Sequence, residues 1–178
     1  NCPEIQNAFL IYFYRNVEDL LVRSNILFII GNICKNQYLN SQNSVQSELQ
    51  INLSHSLAEE IIQKDFIKEI LQIINRSYSY QKIEALICFS KIISFTQKSV
   101  FDAIIDSCDL DLTNIMESLI DSLRYFISDT NYDRLCAILK ILEHAHLNLS
   151  YSDFIDFIED VDISSIFEIE FQDDDEIE

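Results

Sequence analysis

The sequence predicts an all-α protein built as a stack of repeated helices, and three observations carry that prediction. First, an apolar block recurs at helical spacing. It runs Arg23-Ser24-Asn25-Ile26-Leu27-Phe28-Ile29-Ile30-Gly31-Asn32-Ile33, then Lys82-Ile83-Glu84-Ala85-Leu86-Ile87-Cys88-Phe89-Ser90-Lys91-Ile92, then more loosely Arg134-Leu135-Cys136-Ala137-Ile138-Leu139-Lys140-Ile141-Leu142-Glu143-His144. Second, the 178 residues include one Gly and one Pro, so the tight turns that a sheet protein needs are missing. Third, 48% of the residues are hydrophobic and the mean hydropathy is +0.07, enough to build a core.

The elements follow in order. Residues 4–15 place Ile5, Ala8, Phe9, Tyr12 and Phe13 on one helical stripe. Residues 17–36 form a longer helix, apolar all round at its centre, the pattern of a helix buried on every side. Residues 37–56 are rich in Asn, Gln and Ser and read as a polar insertion with some helical content. Helices are expected over 57–63 and 65–75, the second capped by Asp65. Residues 78–96 hold the second copy of the long helix, and 99–108 a short amphipathic one. After a break at 109–112, Thr113 caps a helix to residue 128, and Asp129 or Thr130 caps the third long helix to about His146. Ser150 or Ser152 opens a short helix to Asp160, and residues 163–171 add a further turn or two. Residues 1–172 thus form one repeat domain, and 173–178 an acidic tail.

The second and third copies align beyond their cores, Tyr80-Gln81-Lys82-Ile83-Glu84 against Tyr132-Asp133-Arg134-Leu135-Cys136. The preceding helices match in role, Phe66 to Leu71 against Met116 to Asp121. The unit is a medium helix, a polar link and a long apolar helix. One unit alone cannot bury both faces of its long helix, so neighbours must stack. Gly31 inside an apolar helix costs about 1 kcal/mol against Ala, which close approach of a neighbouring helix would explain.

Charge narrows the partners. The formal net charge is −18, and residues 149–178 hold twelve acids and no base. Phosphate contact needs basic residues, so nucleic acid and anionic membrane surfaces are disfavoured, and a basic peptide or protein is favoured. The longest apolar runs, 8–13 and 26–31, fall short of the roughly 20 residues that span a bilayer. No signal peptide is expected. Five cysteines without a CxxC read as reduced, intracellular thiols, and the sequons at Asn52, Asn75 and Asn148 as chance in an Asn-rich chain.

Chemistry-bearing constellations are sparse. Glu143, His144 and His146 do not share a helix face in a way that would hold a metal. Pairs such as Asp102 with Asp106 and Asp153 with Asp156 read as solvated faces among 30 acids. No calcium loop or phosphate-cradling glycine loop occurs. No cofactor is expected, and the chain reads as non-enzymatic.

The repeated unit resembles armadillo repeats, and more narrowly the C-terminal repeats of the importin-alpha family of nuclear-import adaptors. The residues that carry the resemblance are 82–91, 99–108 and Phe167-Glu168-Ile169-Glu170-Phe171-Gln172-Asp173-Asp174. It implies an armadillo/HEAT-like right-handed superhelical solenoid of three to four repeats. It also implies an extended basic peptide of nuclear-localisation type in a concave groove, importin-beta or export-receptor partners, and residence in cytoplasm and nucleus. In that family each groove helix carries a Trp that packs a cargo lysine stem and, one turn on, an Asn that pins the peptide backbone. The matching positions here are Phe28 with Asn32, Ile87 with Lys91, and Leu139 with Glu143, with Glu84 at the acidic position. The chain has no Trp. The alternative is an armadillo-fold structural subunit of a larger assembly with no transport role, which an exposed apolar surface at the first helix would favour.

Overall fold

The computed structural model describes residues 3–43, 61, 65–76, 80–96, 98–108, 112–125 and 130–168. Among them every regular element is helical. The helices are α1 (Pro3–Asn16), α2 (Leu20–Asn43), α3 (Phe66–Arg76), α4 (Tyr80–Ser94), α5 (Lys98–Cys108), α6 (Leu112–Tyr125), α7 (Thr130–Asn148) and α8 (Tyr151–Asp160), followed by a 3-10 turn, Ile163–Glu168. The chain folds as two compact units, Asn1–Leu110 and Asp111–Glu178, where the sequence reading has one domain over 1–172. The first unit holds two copies of the long helix and the second unit the third.

In the first unit α2 and α4 lie side by side and run the same way. Leu20, at the start of α2, accepts through its carbonyl oxygen a bond from Gln81 Nε2 at 3.5 Å, at the start of α4. Tyr38, near the far end of α2, packs its ring 5.8 Å from Phe95, just past the end of α4. Midway, Gly31 faces Cys88 and Lys91. A Cβ on Gly31 would sit 3.2 Å from the Cys88 Cα and 3.1 Å from Lys91 Cδ. The missing side chain therefore lets two backbones approach, which accounts for a helix-breaking residue mid-helix. The two copies stand 59 residues apart in sequence, and Asn32 and Lys91, also 59 apart, are bonded across the seam. The seam thus joins equivalent positions of the first two copies.

Burial follows position. In α4 every residue from Ala85 to Ile93 is buried, so this helix is the centre of the unit. α3 covers it with one stripe, Phe66, Ile67, Ile70, Leu71 and Ile74. α2 departs from the expectation of a helix buried all round. It buries Ile26, Leu27, Ile30 and Cys34 and leaves Leu20, Leu21, Val22, Phe28 and Ile29 exposed. α4 packs along one flank of α2, and α1 meets α2 near its start, where Arg23 lies over Tyr14. α1 crosses to α3 through a Tyr14–Phe66 edge contact, with ring centroids 5.2 Å apart, and an Arg15–Glu69 ion pair.

In the second unit α6 buries Ile115, Met116, Leu119, Ile120 and Leu123 against Ala137, Ile138, Ile141 and Ala145 of α7. Phe157 and Val161 close the unit from α8 and its end.

Helix ends follow local chemistry. α2 starts at Leu20, not residue 17, because the Asp19 carboxylate caps it, accepting from the backbone N–H groups of Leu21 (2.8 Å) and Val22 (3.0 Å). The polar segment expected from residue 37 is helical to Asn43, since Tyr38 anchors that turn on Phe95. Residues 44–60 and the helix expected over 57–63, Ile61 apart, lie outside the described residues, as does the acidic tail. Asp65 is not a side-chain cap. It takes a left-handed φ of 53°, its carbonyl accepts from Lys68 N, and its carboxylate pairs with Lys68 Nζ at 3.1 Å. Ser150 caps α8, its Oγ accepting from Asp153 N and donating to the Asp153 carboxylate.

Candidate functional site

The seven groove positions named from sequence fall into two groups. Phe28, Asn32, Glu84, Ile87 and Lys91 belong to the first unit, and Leu139 and Glu143 to the second. In the first unit Phe28, Asn32 and Lys91 converge. Lys91 Nζ lies 4.9 Å from the centroid of the Phe28 ring and donates to Asn32 Oδ1 at 2.8 Å. The lysine is only 4% exposed, and its stem packs over Gly31. An aromatic face and an amide one turn on therefore hold an ammonium. The lysine they hold is the chain's own.

The remaining positions sort differently. Ile87 is buried, so it is packing and not a groove surface. Glu84 is half-buried beside Tyr80, whose hydroxyl is pushed above the usual phenol range by its hydrogen bond to that carboxylate and by the nearby charge. Glu84 Oε2 is buried with no hydrogen-bond partner among the described residues. Leu139 and Glu143 are exposed on α7.

The basic residue that opens each copy is the feature sequence reasoning left without a role. Arg23 lies over the Tyr14 ring, 4.7 Å from its centroid, in the last turn of α1. Arg134 is fully buried, and its Nη1 donates at 2.7 Å to the carbonyl of Ser122 near the end of α6. In the first and third copies the base thus contacts the last turn of the preceding helix, Arg134 through a carbonyl, where a cation is favoured, and Arg23 through a ring. Burial lowers the Arg134 pKa, opposed by buried Asp133 beside it. The repeated position was visible in sequence, but its target was not, because it depends on where the preceding helix ends.

Two buried thiols, Cys34 and Cys88, line the α2–α4 seam. Burial pushes Cys34 up to about 12, and raises Cys88 as well, with Cys34 adding to it. Neither is poised as a nucleophile. The His146 ring packs on Phe154 at 5.1 Å and His144 lies beside Asn148. Among the described residues no three potential ligands cluster to hold a metal, and no helix is long and apolar enough to cross a membrane.

The first unit exposes several large apolar side chains. Phe9 and Phe13 stack on α1 with rings 5.8 Å apart, and Tyr12 stands beside them in sequence. All three are exposed, with Phe9 58% open, and Leu20, Leu21, Val22 and Ile29 of α2 are exposed too. None of these seven carries a charge. No protein-family model, no curated protein and no solved structure matches this chain.

Proposed function

We propose that this chain is a non-enzymatic, armadillo-like helical-repeat scaffold that works as a structural subunit of a larger protein assembly. The observation that carries this reading is the set of exposed apolar side chains on α1 and α2. Scattered exposed apolar residues are ordinary, whereas an exposed stacked aromatic pair on one helix, with four exposed aliphatic residues on the next, is rich in the residue types of a buried interface. A solenoid of three to four stacked units with a right-handed superhelical path is part of the same proposal. It is supported by the parallel α2–α4 seam in register with the sequence repeat.

The test compares the wild-type chain with Phe13→Asp as bait in extract from the native cell. The reading expects a partner that stays bound through high salt with the wild type and is lost with the variant. Retention of the same proteins by both forms would remove it.

A second reading, an importin-alpha-like adaptor holding an extended basic peptide, draws on the Phe28–Lys91–Asn32 arrangement, which is lysine-recognition chemistry. It expects affinity for a Lys/Arg-rich peptide that weakens with salt and with Phe28→Ala. Absence of binding at low salt would remove it. Occupation of the Phe28–Asn32 pair by Lys91 is why this reading stands second.

A further inference from the structure

The α2–α4 seam has two halves, and each half recurs largely uncovered elsewhere in the chain. On α4 the residues that meet α2 are Gln81, Cys88, Lys91 and Phe95. Fifty-nine positions earlier the same face of α2 is Val22, Ile29, Asn32 and Asn36. Val22, Ile29 and Asn36 are exposed, Ile29 by 44%. Three of the four α2 positions that match the docking face of α4 are thus exposed, and the fourth, Asn32, is half-buried and bonded to Lys91.

The receiving half recurs in the second unit. On α2 the residues that receive α4 include Phe28, Asn32 and Tyr38. Aligning the three copies places Leu139, Glu143 and Leu149 at those positions, on α7 and just past its end. All three are exposed, Leu139 by 64%. On α4 the matching positions Ile87 and Lys91 are buried. One long helix therefore shows a largely unfilled docking face and another an unfilled receiving face.

We infer that the chain binds a second copy of itself head to tail, α2 of one copy lying parallel on α7 of the next as α4 lies on α2 within one copy. This rests on the reading of the α1–α2 surface as a protein-docking face, and names its occupant. The register puts Asn32 of one copy between Leu139 and Glu143 of the other, where its amide N–H donates to the carboxylate. Ile29 meets Leu142, which stands at the place of Gly31. Leucine there keeps the helices further apart, so the contact is weaker than the internal seam. A second copy brings Leu139, Leu142 and Leu149 to the uncharged α2 positions, with the Glu143 carboxylate facing the Asn32 amide. Two unlike faces make a heterologous contact, which propagates until a ring closes or a copy is capped. Each copy carries −18, so salt that screens repulsion strengthens the association.

Sedimentation of the full chain over a range of concentration and salt tests this, with Ile29→Glu, Leu139→Glu and their equimolar mixture. Both positions are exposed, and circular dichroism checks that each variant is folded. The wild type is expected to form species that grow with concentration and with salt, and each variant alone to remain monomeric. The mixture is expected to form dimers and nothing larger, since each variant keeps the face the other has lost. A monomeric wild type, a variant that still associates, or a mixture without dimers would overturn the inference. If the wild type is monomeric while Phe13→Asp still loses a captured partner, self-association falls and the docking reading survives. If Phe13→Asp changes nothing in capture while the wild type associates through both tested faces, the occupant is the second copy and the larger assembly falls.

Discussion

Lys91 reaches across from α4 to Asn32 on α2, its ammonium 2.8 Å from the amide oxygen and its stem lying over Gly31. The pair joins equivalent positions of two sequence copies, so one contact reports both the repeat and the packing. Lys91→Met keeps the stem and loses the hydrogen bond and the ring contact, and it should cost about 1–2 kcal/mol. Lys91→Ala also empties the space above Gly31 and should cost about 1 kcal/mol more. Urea denaturation of both variants checks the order. Equal losses would show that the stem contributes nothing.

Gly31 sets the distance between the helices. Alanine there gains about 1 kcal/mol of helix propensity, but its Cβ would crowd the Cys88 backbone and Lys91 at 3.2 and 3.1 Å. The lysine stem can swing aside, whereas the backbone moves only with its helix, so overpacking of about 1–3 kcal/mol outweighs the gain. Gly31→Ala is expected to lower the unfolding midpoint, and Gly31→Val to lower it further. A rise with alanine would mean the seam has slack.

Arg134 is the most demanding buried group. Removing it leaves buried Asp133 and the Ser122 carbonyl without its charge and donors. Arg134→Ala should destabilise the second unit by about 3–5 kcal/mol. Arg134→Lys should recover part of this, since a point charge replaces a planar fork. Thermal unfolding of the full chain gives the comparison, and an Arg134→Ala protein as stable as wild type would contradict the bracing role.

The seam thiols set an alkaline limit. Burial raises Cys34 to about 12 and raises Cys88, from an ordinary value of 9.0. Above that ordinary value the unfolded chain loses these protons while the folded chain keeps them. Stability is therefore full below about pH 9 and falls as pH rises toward the folded value, by about 1.4 kcal/mol per pH unit for each such group. Cys34→Ala should flatten that fall in a chemical-denaturation series from pH 8 to about 11. The same burial predicts that a thiol reagent at neutral pH spares Cys34 and Cys88 until the chain unfolds. Labelling of either in the native protein would contradict it.

The described helices and their order were legible because they rest on local pattern: the apolar blocks, the missing glycines and prolines, and a serine, Ser150 or Ser152, expected to open α8. Close approach at Gly31 was legible because only a neighbouring backbone explains a glycine there. Burial was not. α2 and α4 look alike in sequence, yet α4 is enclosed and α2 leaves Phe28 and Ile29 exposed, since enclosure depends on neighbours and not on composition. For the same reason Ile87 reads as a groove position and is core. Phe28 with Asn32 and, apart from them, Lys91 with Ile87 were singled out, but their meeting needed the register of two helices. The end of α2 at Asn43 was masked by polar residues, whose propensity gave way to the anchor of Tyr38 on Phe95.

Everything functional depends on α2 and α4 running parallel and in step. Spin labels carried on unnatural side chains, which leave the native thiols untouched, measure this directly. With labels at exposed Leu21 and Tyr80, both near helix starts, the distance should be short. Moving the first label to exposed Leu39, 18 residues along α2, should lengthen it by roughly 20 Å, given a rise of about 1.5 Å per residue. A shorter distance from Leu39 than from Leu21 would mean antiparallel helices and would contradict the repeat stack.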